Sequence, residues 1–113
     1  DATATLVELL DLLAVTGRKL SDVVDALPPV HVAHEEVPTP WERKGAVMRE
    51  MVERAKGRDT VLVDGVKILH DDGWALVLPD PEEPVVHVWA EGGSDAEAIG
   101  LAAEYARRIA QIV

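Results

Sequence analysis

The residues of this chain whose types could do chemistry are four histidines and three pairs of adjacent carboxylates. His31 and His34 lie three apart and are followed by Glu35-Glu36. On a helix the two imidazoles would share a face and, with a carboxylate, could hold a divalent ion. On a strand they point to opposite faces. The segment Val30-His31-Val32-Ala33-His34-Glu35-Glu36-Val37 alternates roughly and contains β-branched residues, so it reads as a strand whose polar residues are solvated. No metal site is assigned. His87 stands among valines and is expected to be partly buried and hydrogen-bonded. His70 precedes Asp71-Asp72 at a hairpin, where a surface role is the default. Asp71-Asp72, Glu82-Glu83 and Glu35-Glu36 are of the type used in general acid–base catalysis, but spacing ties none to a partner, and no catalytic residue is assigned. Trp74 and Trp89 could stack on a sugar, yet their strand phase is read as placing them in the core. No Gly-rich phosphate loop, nucleophile elbow or zinc motif is present.

The elements that must position these groups fit one domain of 113 residues. Hydrophobic residues make up 48% of the chain, which is enough for a globular core. Phenylalanine is absent, so Val, Leu, Ile and Ala must build that core, with Trp41, Trp74 and Trp89 as the large pieces. The net charge of −10 opposes binding to nucleic acid or an anionic membrane surface. No run approaches the length of a membrane span. There is no cysteine, hence no disulfide or zinc–thiolate site, which fits the cytoplasm. The start, Asp1-Ala2-Thr3, has neither an initiator Met nor a signal pattern and reads as a piece of a longer protein.

Leu6, Leu9, Leu10 and Leu13 recur at helical spacing and Gly17 supplies a stop, predicting a helix over about 3–15 with a broad apolar face. Ser21 is expected to cap a short second helix that Pro28-Pro29 ends. Thr39-Pro40-Trp41-Glu42 reads as a capping box opening a helix to about Lys56. Val47, Met48, Met51, Val52 and Ala55 form its buried stripe, and Lys44 belongs to its wet face. Asp64-Gly65 and Asp71-Asp72-Gly73 are hairpin signals. They separate strands near 60–63, 66–70, 73–78 and 85–91. Ser94-Asp95-Ala96-Glu97 opens a last helix, whose stripe is read as Ile99, Ala102, Ala103, Ala106, Ile109, Ala110 and Val113. The expected fold class is α+β, an antiparallel sheet of about four strands with helices packed on one face. Residues 1–28 form a helical lead-in and 29–113 the domain proper.

The block Asp64-Gly65-Val66-Lys67-Ile68, Asp72-Gly73-Trp74-Ala75-Leu76-Val77-Leu78-Pro79-Asp80-Pro81-Glu82-Glu83-Pro84 and Val88-Trp89-Ala90-Glu91 resembles the C-terminal domain of the α-D-phosphohexomutases, the phosphomannomutase/phosphoglucomutase family. The family pattern is a DG-x-K-I hairpin, a G-W-x-L-V strand, a loop R-P-S-G-T-E-P, a strand ending in Glu and a helix. Ala14-Val15-Thr16-Gly17-Arg18-Lys19-Leu20-Ser21 and Leu27-Pro28 resemble the family's A-x-T-G-x-x-L-S and L-P segment at the end of the preceding domain. The resemblance implies a TATA-binding-protein-like layer as the fourth domain of an enzyme of carbohydrate metabolism. In that enzyme a phosphoserine and a Mg²⁺-binding loop of earlier domains transfer the phosphoryl group. It implies no cofactor in this domain, the other domains of the parent chain as partners, and no catalysis by this chain alone.

Leu78, Pro79, Asp80, Pro81, Glu82, Glu83 and Pro84 occupy the position of the family's phosphate loop, and only Pro79, Glu83 and Pro84 match it. The Arg has become Leu78, both hydroxyls have become carboxylates, and Pro81 removes an N–H donor. A phosphate dianion about 4 Å from one such carboxylate is repelled by several kcal/mol at an effective dielectric near 20, before screening. Hexose phosphate is therefore expected to bind only weakly if at all. The loop also resembles that of bacterial proteins in which a sugar-1-phosphate nucleotidyltransferase precedes a mutase-like region, labelled mannose-1-phosphate guanylyltransferase or phosphomannomutase. The parent is thus expected to be a mutase (an isomerase) or such a fusion. The alternative is a non-catalytic regulatory or protein-interaction module.

Overall fold

A computed structural model describes all residues 1–113. The elements follow in the order α1 (Ala2–Thr16), α2 (Leu20–Asp25), β1 (His31–Pro38), α3 (Trp41–Arg54), β2 (Thr60–Val63), β3 (Gly65–His70), β4 (Gly73–Pro79), β5 (Val85–Gly92) and α4 (Asp95–Ala110). The expected α+β class holds, and the sheet is antiparallel throughout, in the order β1-β5-β4-β3-β2. This is consistent with a TATA-binding-protein-like layer. It has five strands rather than about four. The strand at 31–38 joins the hairpin strands by pairing with β5 from His31↔Gly92 through Pro38↔Val85, a long-range match that no local signal announces.

Alternation divides each strand between two faces. Val37, Val66, Ile68, Ala75, Val77, Val86, Val88 and Ala90 are buried against Val47, Met51, Ala102, Tyr105 and Ile109 of α3 and α4. The opposite face is open. Trp74, Leu76 and Leu78 share it with His87 and Trp89, so the phase read from the sequence is right while the buried side is the other one. Trp89 is 38% exposed and Trp41, at the start of α3, 52%. None of the three tryptophans is among the buried core residues. Small β-branched side chains and alanines fill the helix-facing side because helices lie directly upon it.

Two capping expectations are corrected. The Thr39 hydroxyl donates backward to the Val37 carbonyl at 2.9 Å and caps nothing; Pro40 is the N-cap of α3. α2 begins after Lys19 with no side-chain cap, so Ser21 plays no such part. Ser94 does cap α4, accepting from the Glu97 N–H at 3.2 Å. The buried stripe of α4 is Ala98, Ala102, Tyr105 and Ile109, whereas Ile99 is exposed. α1 and α2 bury no residue, and Leu6, Val7, Leu10, Leu12 and Val15 lie exposed. No helix is long and apolar enough to cross a membrane.

Tyr105, the single tyrosine, supplies the largest fully buried side chain. Its hydroxyl lies 3.0 Å from His70 Nε2, which gives His70 an inward role in place of the expected surface one. Burial pushes the phenol above its ordinary value of 10, partly opposed by Arg108 and Arg58. A raised folded-state pKa favours the native chain only while the phenol is protonated. Stability is therefore intact below pH 10 and falls as the pH rises from there through the folded-state value. Phenolate absorbance reads this residue alone, and in the native chain it should develop at higher pH than in the urea-unfolded chain.

Candidate functional site

Residues 78–84 run from the end of β4 to the start of β5. Leu78 and Pro79 are still paired in the sheet, opposite His87 and Val86. From Asp80 the chain turns, and three interactions hold it. The Asp80 N–H reaches the Val85 carbonyl at 3.2 Å, the Val85 N–H the Glu83 carbonyl at 2.8 Å, and the Thr39 N–H the Pro84 carbonyl at 2.7 Å.

Asp80 is the centre of the turn. One carboxylate oxygen, Oδ1, accepts from the N–H groups of Glu82 at 2.7 Å and Glu83 at 2.6 Å. The other, Oδ2, accepts from His87 Nε2 at 2.9 Å. An Asp at the first position of a turn commonly binds the N–H groups two and three residues on. Here that preference satisfies two adjacent donors at once. The His87 hydrogen bond first, then the two N–H groups, hold the Asp80 carboxyl down from 3.8 to about 2. The loop's donors are thus occupied by an oxyanion that belongs to the loop itself.

Beneath the turn stands Lys44, which is 8% exposed and does not lie on the wet face assigned to it. Its ammonium donates to the Asp80 carbonyl at 2.5 Å and to the Glu83 carbonyl, and sits 3.8 Å from the centroid of the Trp41 ring. A cation is therefore present at the loop, supplied by α3 rather than by the loop's own residues. It is engaged with backbone oxygens and grips the turn from below. Charge–carbonyl hydrogen bonds of this kind are among the stronger ones in proteins.

The expected hydrogen-bonded character of His87 holds: its side chain is 18% exposed. Beside it on the open face lie His34 and Glu36, from the neighbouring strand. His34 Nε2 is 3.0 Å from His87 Nδ1, and Glu36 Oε1 is 3.7 Å from the same nitrogen. The His34 ring stacks on Trp89, with centroids 4.0 Å apart. His31 points to the other face, as strand geometry requires, and bonds Asp95 at 2.7 Å. Farther along the open face Trp74 Nε1 donates to Glu91 Oε2 at 2.7 Å, and the Lys67 ammonium lies 4.1 Å above the Trp74 ring. The structure therefore joins His34, Glu36, His87 and Asp80, and separates His31, His70 and the Asp71-Asp72 pair from them. His87 and Asp80 are seven apart across a turn, and His34 and Glu36 are two apart on one strand. Only the pairing of β1 with β5 brings the two sets together.

A cleft of about 370 Å³ lies at the far end of the sheet, lined by Asp71, Asp72, Glu91, Glu97 and Glu104 among others. It includes no residue of the 78–84 loop. Of these five carboxylates Glu91 accepts from Trp74 and Glu104 pairs with Arg108 one turn along α4, and none meets a histidine, so the loop and its histidine neighbour carry the more organised chemistry.

No family model matches the chain. It is 31% identical over 100 residues to the phosphoglucomutase/phosphomannomutase of Thermococcus kodakarensis, covering 87% of this chain and 22% of that protein. It is 36% identical over 99 residues to a probable phosphoglucosamine mutase of Methanopyrus kandleri, covering 86% of this chain and 22% of that protein. A phosphoglucosamine mutase of Methanococcus aeolicus is 28% identical over 98 residues, 84% of this chain and 22% of its own length. The chain thus spans about a fifth of the length of these relatives. Their shared identity as hexose-phosphate mutases supports the phosphohexomutase family for this chain.

Proposed function

We propose that this chain is a module of a phosphohexomutase-type sugar-phosphate enzyme, and that its 78–84 loop, standing where that family grips the phosphate of the bound sugar, no longer takes phosphate. Asp80 carries this reading. Its carboxylate already accepts from the Glu82 and Glu83 N–H groups and from His87. A phosphate would have to displace a tethered anion and then sit beside it. Glu82 and Glu83 add further negative charge at the loop, and Lys44 is turned to the carbonyls. Coulomb repulsion of several kcal/mol at short range outweighs what a pair of N–H donors can return.

The relatives that support the family are mutases, so an isomerase parent is the first form of the proposal. A fusion with a sugar-1-phosphate nucleotidyltransferase is its variant. An upstream phosphoserine motif with an aspartate-rich metal loop marks the former, and a G-G-x-G-T-R-L-type nucleotide loop the latter. Catalysis and Mg²⁺ would then belong to the rest of the parent chain in the cytoplasm. The donor set gathered in this domain, two imidazoles and one exposed carboxylate, does not fit an ion that demands octahedral oxygen ligands. The exposed leucines and valines of α1 support the parent's other domains as the partner that covers them.

The test is titration of the chain with glucose 1-phosphate, mannose 1-phosphate and glucosamine 6-phosphate, following the backbone amides of residues 78–84. No saturable shift is expected in the micromolar range. Micromolar binding centred on the loop overturns the claim that its anion site is closed.

A further inference from the structure

We propose that His34, Glu36 and His87 form a divalent transition-metal site on the open face of the sheet, suited to Zn²⁺, with Asp80 orienting one of its ligands. The site stands independently of the sugar-phosphate reading.

The first argument is geometric. One ligand atom from each of His34, Glu36 and His87 lies within 4.8 Å of the other two, and His87 Nδ1 faces both His34 Nε2 and Glu36 Oε1. Two of the separations are 3.0 Å and 3.7 Å. Ligand atoms at about 2.0–2.1 Å from a tetrahedral Zn²⁺ stand about 3.3 Å apart. Those two values bracket that distance and the third separation is within 4.8 Å, so the ion would draw His34 and Glu36 together by a side-chain adjustment on strands that hold their Cα positions. His34 and Glu36 share a face of β1 because they are two apart, and the register places Glu36 opposite His87 and His34 opposite Trp89.

The second argument is the proton on His87. Asp80 also receives two loop N–H groups on its other oxygen and acts as an acceptor throughout. His87 Nε2 must therefore carry the hydrogen that reaches Asp80 Oδ2 at 2.9 Å. In the neutral ring this leaves the lone pair on Nδ1, which faces His34 and Glu36. A carboxylate behind a ligating imidazole is the arrangement by which proteins fix the tautomer of a metal ligand and raise its basicity. Without a metal, His34 Nε2 donates its proton to His87 Nδ1. With one, the proton of neutral His34 resides on Nδ1, and both facing nitrogens bind the ion.

The third argument is chemical class. Two imidazoles and one carboxylate are a donor set for Zn²⁺ and its borderline neighbours, and a poor one for Mg²⁺ or Ca²⁺. Three protein ligands leave a fourth position to water. Trp89, stacked on His34, forms an apolar wall on one side. Binding would clamp β1 to β5 and, through His87 and Asp80, tie the 78–84 loop to the sheet.

The experiment is a Zn²⁺ titration of the metal-free chain, read by calorimetry and by the ring resonances of the four histidines. One Zn²⁺ per chain is expected, with His34 and His87 perturbed and His31 and His70 unmoved. His87→Gln and His34→Gln should abolish the site, and His31→Ala should bind as the parent chain does. Asp80→Asn is the decisive variant for the positioning role. Its amide can still accept from the loop N–H groups but presents a donor to His87 Nε2, moving the ring proton to Nδ1. Affinity should fall about 10–100-fold, the range found when such an outer partner is lost. The tautomer change is separately visible in the His87 ring nitrogen shifts of the metal-free variant. The proposal is overturned if Zn²⁺ moves none of the histidines or moves His31 instead. It is also overturned if His34→Gln binds as tightly as the parent, or if light scattering shows the ion held between two chains.

Discussion

Gly73→Val is expected to destabilise the domain by about 3 kcal/mol, the upper part of the range for forcing extra atoms into a close-packed site. A Cβ at Gly73 would lie 1.9 Å from the Glu91 carbonyl oxygen and 2.8 Å from its carbonyl carbon, both main-chain atoms of the adjoining strand. They cannot swing away as a side chain would. β4 and β5 must separate at that end, where Trp74 pairs with Glu91 and donates to its carboxylate. Urea unfolding checks the magnitude. A second effect should be an amide shift pattern confined to the ends of β4 and β5 rather than spread over α3. Gly100→Ala is the contrasting substitution. Nothing lies within 4 Å of its Cβ position, and it sits in the exposed interior of α4. Alanine there should stabilise by about 0.5–1 kcal/mol through helix propensity.

Lys44→Met should cost about 1.5–3 kcal/mol, the range for hydrogen bonds that involve a charged partner. Methionine preserves most of the apolar stem, so the loss reports chiefly on the ammonium. Removing it frees the Asp80 and Glu83 carbonyls and the contact with Trp41. The turn should then loosen. Hydrogen exchange should accelerate at the N–H groups of Glu82, Glu83 and Val85, which are bonded within the loop. Equal acceleration across the whole sheet with no excess in the loop would show that Lys44 supports the core generally rather than this turn.

Much of the fold was legible because its signals are local. The helix at α1 ends at Gly17, whose φ of 65° suits glycine. Ser94 caps α4 as its spacing with Glu97 predicts. Both Asp-Gly signals mark real hairpins, but for a reason other than turn conformation. In the first, Asp64 and not Gly65 takes the positive φ. Gly65 and Gly73 are needed because a neighbouring strand's carbonyl passes too close for any Cβ. A dipeptide can announce a turn without revealing which atoms demand the glycine.

The candidate site shows the same division. That 78–84 is an acidic, Pro-rich turn between strands follows from residue types alone, because charge and the missing N–H of proline do not depend on packing. That Asp80 binds the loop's own N–H groups follows a local preference of Asp in turns, whereas its second bond, to His87, needs the strand pairing that sets Leu78 opposite His87. Lys44 misled because helical spacing gives its angle on α3 but not what lies opposite, and opposite it lie carbonyls that a long flexible stem can reach. Trp74 and Trp89 misled for a related reason: alternation separates two faces of a strand and is silent on which face the helices cover. Alanine and valine won the covered face because helices pack closely only over small side chains. The meeting of His34 and Glu36 with His87 required the pairing of strands some fifty residues apart, and sequence spacing carries no record of that register. The sequence by itself thus determined the elements, the charge and the family resemblance. Only the tertiary structure decided which side is core, what fills the loop, and which histidines stand together.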